Sequence, residues 1–173
     1  SAVLFATLFF HPASPIAPLL PDGAVGRLPM ALAMAATAVA IVYSPWGRRS
    51  GAHLNPALTL AQFRLGKVAK VDLAGYVAAQ FLGALAGVGL AAFVLGEAAD
   101  HPNVRHAATT PGVYGVAAAF AAEVAIAFVL LTAVLWTSSR PKWERYTGLV
   151  AAGCVALYIA FEAPISGMSL NPA

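Results

Sequence analysis

Four long apolar stretches dominate the chain, at roughly 28–46, 71–96, 114–137 and 147–165. Each is close to the ~20 residues an α-helix needs to cross a bilayer core. They are apolar all round, so length and lack of charge identify them, not one greasy face. Only 10% of residues are charged, against about 25% in ordinary soluble domains. A water-soluble fold of this length is excluded on that ground, and an all-α membrane protein is predicted. A fifth stretch, Ala2 to Phe10, is too short to cross and stops at His11-Pro12. It reads as the end of a span that starts before Ser1.

The connectors alternate in charge. Arg48, Arg49, Arg64, Lys67 and Lys70 follow the first long stretch, and Arg140, Lys142 and Arg145 follow the third. These are eight of the 10 basic residues; Arg27 and Arg105 lie in the connectors 11–27 and 97–113. The positive-inside rule then places 48–70 and 138–146 in the cytoplasm, and a plasma or inner membrane is expected. This explains the net charge of +3 without a nucleic-acid partner. Trp46, Trp136 and Trp143 fall at span ends, where amphipathic rings sit at headgroup depth. The single cysteine, Cys154, excludes an internal disulfide framework. His11, His53, His101 and His106 are scattered, so neither a metal nor another cofactor is expected.

An internal repeat carries the functional information. Ser50-Gly51-Ala52-His53-Leu54-Asn55-Pro56-Ala57 matches Ser166-Gly167-Met168-Ser169-Leu170-Asn171-Pro172-Ala173 at six of eight positions, offset by 116. Three apolar stretches separate the copies, and an odd number of crossings puts them on opposite membrane faces. That is an inverted-topology repeat, a pattern of transport proteins with a site at the bilayer midplane.

The first copy predicts its own local structure. Asn55 suits a helix cap, Pro56 the first helical position and Gly66 the residue past the end. A helix over 56–65 is about 15 Å long, half a bilayer core. It enters and stops near the middle as a re-entrant loop. Backbone at that depth is tolerated only when buried in protein or lining a water-filled cavity. The two Asn-Pro-Ala turns are therefore expected to meet at a pore or binding site.

These residues resemble the major intrinsic proteins, the aquaporin and glycerol-facilitator channels. His53-Leu54-Asn55-Pro56-Ala57-Leu58-Thr59-Leu60-Ala61 is similar to the family signature throughout. Tyr76, Gln80, Gly83 and Ala84 resemble its third-helix pattern, and Glu123 sits where the family carries a fourth-helix glutamate. The resemblance implies an aquaporin-like inverted repeat of six spans and two half-helices, assembled as homotetramers with one pore per subunit. It implies that the motif residues Asn55, Pro56, Ala57, Asn171, Pro172 and Ala173 form the middle of the pore, with both asparagines donating to permeants. Residues 1–96 then form the first repeat, 97–113 an outer loop and 114–173 an incomplete second repeat, whose second half-helix starts at 171–173. Such a chain is expected to be an internal piece of the channel, truncated at both ends.

The resemblance also places three residues of a four-residue constriction, at Ala35, Ile159 and Met168. Ala35 and Ile159 depart from the aromatic and histidine of strict water channels. A small residue with isoleucine resembles the nodulin-26-like branch, as does Ala163-Pro164-Ile165-Ser166-Gly167. Glu123 is expected to accept backbone N–H groups of a re-entrant loop. Glu162 is read as interfacial and solvated, or as lining an outer mouth. His53 either fixes its loop by a hydrogen bond or borders the pore. Gly83-xxx-Gly87 suits close helix packing.

The expected function is a passive channel for water and small uncharged solutes, with no enzymatic role. Convergent helix N-termini, each equivalent to about half a positive charge, would oppose cations and protons. The alternatives are a metalloid or polyol facilitator with poor water flux, and a non-conducting structural or degenerate membrane protein.

Overall fold

The computed structural model describes residues 2–173. Helix α1 covers Ala2–Phe10 and α2 covers Ala24–Tyr43. The short α3, Pro45–Ser50, and the half-length α4, Pro56–Arg64, follow. Then come α5, Lys70–Leu95, the single turn α6, Glu97–Asp100, and α7, Gly115–Ser138. The last span runs Glu144–Ser166 and changes pitch along its length. It is α-helical over Thr147–Leu157 (α8), π-helical over Tyr158–Glu162, and α-helical again over Ala163–Ser166 (α9).

Four helical segments are thus long and apolar enough to cross a membrane. Their boundaries differ from the expected ones mainly at α2, which starts at Ala24 and stops at Tyr43. The stop has a local cause. Ser44 precedes Pro45, which disfavours the α region, and it is extended, with ψ 160. Its side chain then caps α3 by accepting the Gly47 N–H at 3.0 Å. Trp46 therefore lies on α3, 81% exposed, instead of ending the span.

Helix α2 packs along α8 and the π-helical turn, and α7 packs on α8 and α9. A side chain at Gly148 would collide with Val42 and Tyr43, so glycine lets α8 approach α2. Arg27, in the first turn of α2, donates through Nε and Nη2 to the Ala160 carbonyl at 3.0 and 2.8 Å. The π turn bonds i to i+5, the Ala163 N–H reaching the Tyr158 carbonyl, which alters the face each residue shows. A small apolar cluster of Val3, Ala6, Ala91, Ala99 and Val104 ties α1 to α5 and the 97–107 segment.

The outside of this bundle is greasier than its inside. On α5, Leu82, Leu85, Leu90, Phe93 and Val94 are exposed, while Ala91 is its one buried residue. Buried hydrophobic residues are chiefly alanines and valines. Small interior residues beside large exposed apolar ones suit lipid as the surrounding solvent, where packing rather than water exclusion joins helices. A Cβ placed on Gly83 or Gly87 would meet nothing within 4 Å, so the close packing expected there is not made among the described residues.

Candidate functional site

The repeated octapeptides fold alike before they differ. Gly51 and Gly167 both have positive φ, 71 and 85. Ala52 and Met168, which follow them, share it at 51 and 54. A non-glycine residue there costs roughly 1–2 kcal/mol. Ser50 and Ser166 each accept the N–H two residues on, from Ala52 at 3.4 Å and Met168 at 3.0 Å. The chain thus leaves each short helix through the same tight turn and delivers an asparagine to the centre.

Asn55 is extended and caps α4, its Oδ1 accepting the Ala57 N–H at 2.8 Å. Asn171 makes the equivalent bond from Ala173, at 3.1 Å. Residues 167–173 are otherwise non-helical, so the second half-helix expected to start at 171–173 is here only a capped turn. Pro56 is buried at the head of α4, whereas Pro172 and Ala173 lie in no regular element.

The two asparagines are brought together by a reciprocal pair of bonds. Asn55 Nδ2 donates to the Leu170 carbonyl at 2.8 Å, and Asn171 Nδ2 to the Leu54 carbonyl at 3.0 Å. The partner residues obey the 116-residue offset, so the bonds repeat the pseudo-twofold relation of the sequence. The expectation that both asparagines donate to permeants thereby narrows to one N–H of each. An amide NH₂ has two donors, and one is used to satisfy a backbone carbonyl. One N–H on each asparagine remains available.

The loops are held from outside by different chemistry. Gln80 Nε2, on α5, donates to the His53 carbonyl and to Thr59 Oγ1, the latter at 2.9 Å. Tyr76 Oη donates to the Ser50 carbonyl at 2.6 Å. In the second loop an anion does this work. Glu123, on α7, accepts from Ser166 Oγ at 2.7 Å, the Ser169 N–H at 2.7 Å and the Leu170 N–H at 2.9 Å. Charge-assisted bonds of this kind are roughly twice as strong as neutral ones.

An open cleft of about 470 Å³ lies against the joined loops, lined by His53, Tyr76, Gln80, Gly83, Asn171 and Ala173 among others. The third-helix pattern is therefore the wall facing Asn171 and the first loop. His53 packs against Tyr76, with ring centroids 5.0 Å apart. Its buried Nδ1 has no partner among the described residues, so the loop is fixed by the His53 carbonyl and not by the imidazole. Burial pushes this imidazole below its ordinary pKa.

The three constriction candidates lie on separate elements. Ala35 is midway along α2, Ile159 lies in the π turn and Met168 in the strained turn, all half-buried. Glu162 is not solvated, as one of its two expected readings had it. It is 9% exposed, and both carboxylate oxygens are buried without a partner among the described residues. Ala160 and Ser166 on the same span are also buried, so the change of pitch turns this part of it inward. Sequence reasoning missed Arg27 and its bonds to the opened turn; its position at the head of an apolar stretch was the one available signal.

The family profile described as Major intrinsic protein matches residues 5–173. The chain belongs to the major intrinsic protein family. It is 35% identical over 155 residues to probable aquaporin NIP7-1 of Arabidopsis thaliana, covering 89% of this chain and 54% of that protein. It is 36% identical over 171 residues to aquaporin NIP3-1 of Zea mays, covering 97% and 54%. Bacterial aquaporin Z of Rhodopseudomonas palustris is 27% identical over 164 residues, covering 91% and 68%. The chain spans about half the length of these plant relatives. The inverted repeat and the clamped asparagines are thus features of an all-helical integral membrane protein of this family.

Proposed function

We propose that the protein containing this chain is a passive channel for water and small uncharged solutes, and not an enzyme. The observation that carries the reading is the reciprocal Asn55–Leu170 and Asn171–Leu54 pairing. It supports a site in which two rigid amides each keep one N–H for a permeant. A molecule of water accepts from both and can donate to neither, which interrupts a chain of proton transfers. The N-terminus of α4, headed by Pro56 and Ala57, adds a fixed positive potential against cations. The names of the relatives, aquaporins of plants and a bacterium, agree with this reading.

Ala35, Ile159 and Met168 are proposed to line the constriction. A small residue with isoleucine gives a wider and more apolar gap than an aromatic with histidine, which favours solutes such as glycerol or boric acid beside water. Four further assignments belong to the proposal: assembly as a homotetramer, a plasma or inner membrane, 48–70 and 138–146 on the cytoplasmic face, and the division into repeats at 1–96 and 114–173. The eight basic residues of the two cytoplasmic segments support the orientation.

The test is stopped-flow light scattering on proteoliposomes of the full-length protein. Water and solute fluxes well above empty liposomes, lost in Asn55→Asp with Asn171→Asp, are expected. Fast solute flux with water flux at the background value would favour the facilitator alternative. No flux of either kind from a folded tetramer would overturn the channel reading in favour of a structural protein.

A further inference from the structure

We propose that the corner between α7 and α8 is a binding site for an anionic phospholipid headgroup, formed by Arg140, Lys142 and Arg145 on a ladder of Trp136, Trp143 and Tyr146. The ladder is continuous: the Trp136 and Trp143 ring centroids are 6.0 Å apart, and those of Trp143 and Tyr146 are 6.2 Å apart. The Arg140 guanidinium carbon lies 4.0 Å from the Trp136 centroid, and that of Arg145 lies 4.6 Å from Tyr146. Arg140 Nη1 also donates to the Trp136 carbonyl at 3.1 Å. Ring and carbonyl together fix the guanidinium plane.

A guanidinium laid on a ring still presents N–H groups along its edge, and that edge matches a phosphate. Arg140 uses one of its five donors on the carbonyl, leaving four. Among the described residues no carboxylate lies within ion-pair distance of these cations; Glu144, exposed in the same turn, is outnumbered by Arg140, Lys142 and Arg145. The corner is also anchored. Tyr43 Oη donates to the Arg145 carbonyl at 2.7 Å, tying the turn to the end of α2. The corner therefore presents three cations, two of them held on aromatic rings, against the single carboxylate of Glu144.

The aromatic rings identify the anion's source. Trp136, Trp143 and Tyr146 are 46%, 48% and 36% exposed at the end of a membrane-spanning helix. Half-exposed indoles at that depth rest among lipid carbonyls and upper acyl chains. A free phosphate offers the rings nothing, whereas a phospholipid satisfies rings and cations at once. The occupant is an anionic phospholipid of the leaflet on the Arg140 side, at about one kcal/mol or fivefold in affinity per basic residue engaged.

The experiment uses the full-length protein with every tryptophan except Trp136 and Trp143 replaced by phenylalanine, Trp46 included, so that these two report. Tryptophan quenching is titrated with brominated phosphatidylglycerol and, separately, brominated phosphatidylcholine. The relative association constant should favour phosphatidylglycerol by on the order of a hundredfold. It should fall about fivefold for each of Arg140→Gln, Lys142→Gln and Arg145→Gln, reaching near unity in the triple variant. Arg140→Lys, which keeps the charge without the flat edge, should fall between. Equal quenching by the two lipids, or an unchanged preference in a folded triple variant, overturns the proposal. So does loss of the preference when millimolar inorganic phosphate is added, since that assigns the site to soluble anions. The readout needs no flux, so it stands or falls apart from the channel reading.

Discussion

The first and second Asn-Pro-Ala loops have six of eight residues in common and reach the same end point by different means. The first is pulled by neutral donors, Gln80 and Tyr76, acting on its carbonyls. The second is held by an anion, Glu123, acting on its N–H groups. The internal turns adjust accordingly. Leu54 N–H bonds the Ala52 carbonyl at 2.8 Å, whereas the equivalent Leu170 N–H is taken by Glu123. In its place Asn171 N–H bonds the Ser169 carbonyl at 2.6 Å. The repeat therefore specifies the turn and the asparagine, while each loop's surroundings choose the clamp.

This comparison can be broken at several points. The largest effect is expected for Glu123→Gln, which sets an amide NH₂ against one of the two backbone donors and forfeits charge-assisted bonds. A loss of about 4 kcal/mol, and water flux near that of empty liposomes, is expected from denaturant unfolding in detergent and stopped-flow. A fully stable variant would mean that the anion is not the second loop's clamp.

Next is the glycine pair. A Cβ at Gly167 would lie 2.9 Å from the Thr110 backbone N, while at Gly51 the nearest contact is the His53 ring at 3.4 Å. Both positions carry the positive-φ penalty. Gly167→Ala should cost about 3 kcal/mol and Gly51→Ala about 1 kcal/mol, read from the same unfolding curves. Equal costs would show that the 108–112 segment does not press on the second loop.

Gln80→Leu should follow at about 1–2 kcal/mol, since it leaves the His53 carbonyl and Thr59 without this donor. A cost matching that of Glu123→Gln would erase the proposed difference between neutral and charged clamps.

The smallest effect concerns pH. The second copy has Ser169 where the first has His53, so an imidazole effect should fall on the first loop alone. The folded pKa of His53 is lowered, so the unfolded chain takes up the proton first on acidification. Stability is retained above the ordinary imidazole pKa of about 6.5 and falls as pH drops below it. A thermal midpoint that decreases from about pH 7.5 to about 5.5 in the parent, less steeply in His53→Ser, is expected. Parallel slopes would remove His53 from the account.

Much of this architecture is legible in the sequence, because membrane spans need little more than length and the absence of charge. The half-length of α4 followed from Asn55-Pro56 at one end and Gly66 at the other. The end of α2 was legible only as Ser44-Pro45, a signal easily lost within an apolar run. The cleft wall was visible as Tyr76, Gln80, Gly83 and Ala84, although nothing local states which carbonyls Gln80 reaches.

By itself the sequence determined that the chain spans a membrane and that Asn55 suits a cap, and it led to the expectation that the two motifs meet from opposite sides. These follow from hydropathy, from an odd count of crossings and from contacts between near neighbours along the chain. Only the tertiary structure decided that each asparagine gives one N–H to the other loop, that Gln80 and Glu123 divide the clamping, and that a π turn draws Glu162 inside. Those outcomes depend on bonds between residues up to 117 positions apart and on the pitch of a single turn. Local propensity carries no information about either.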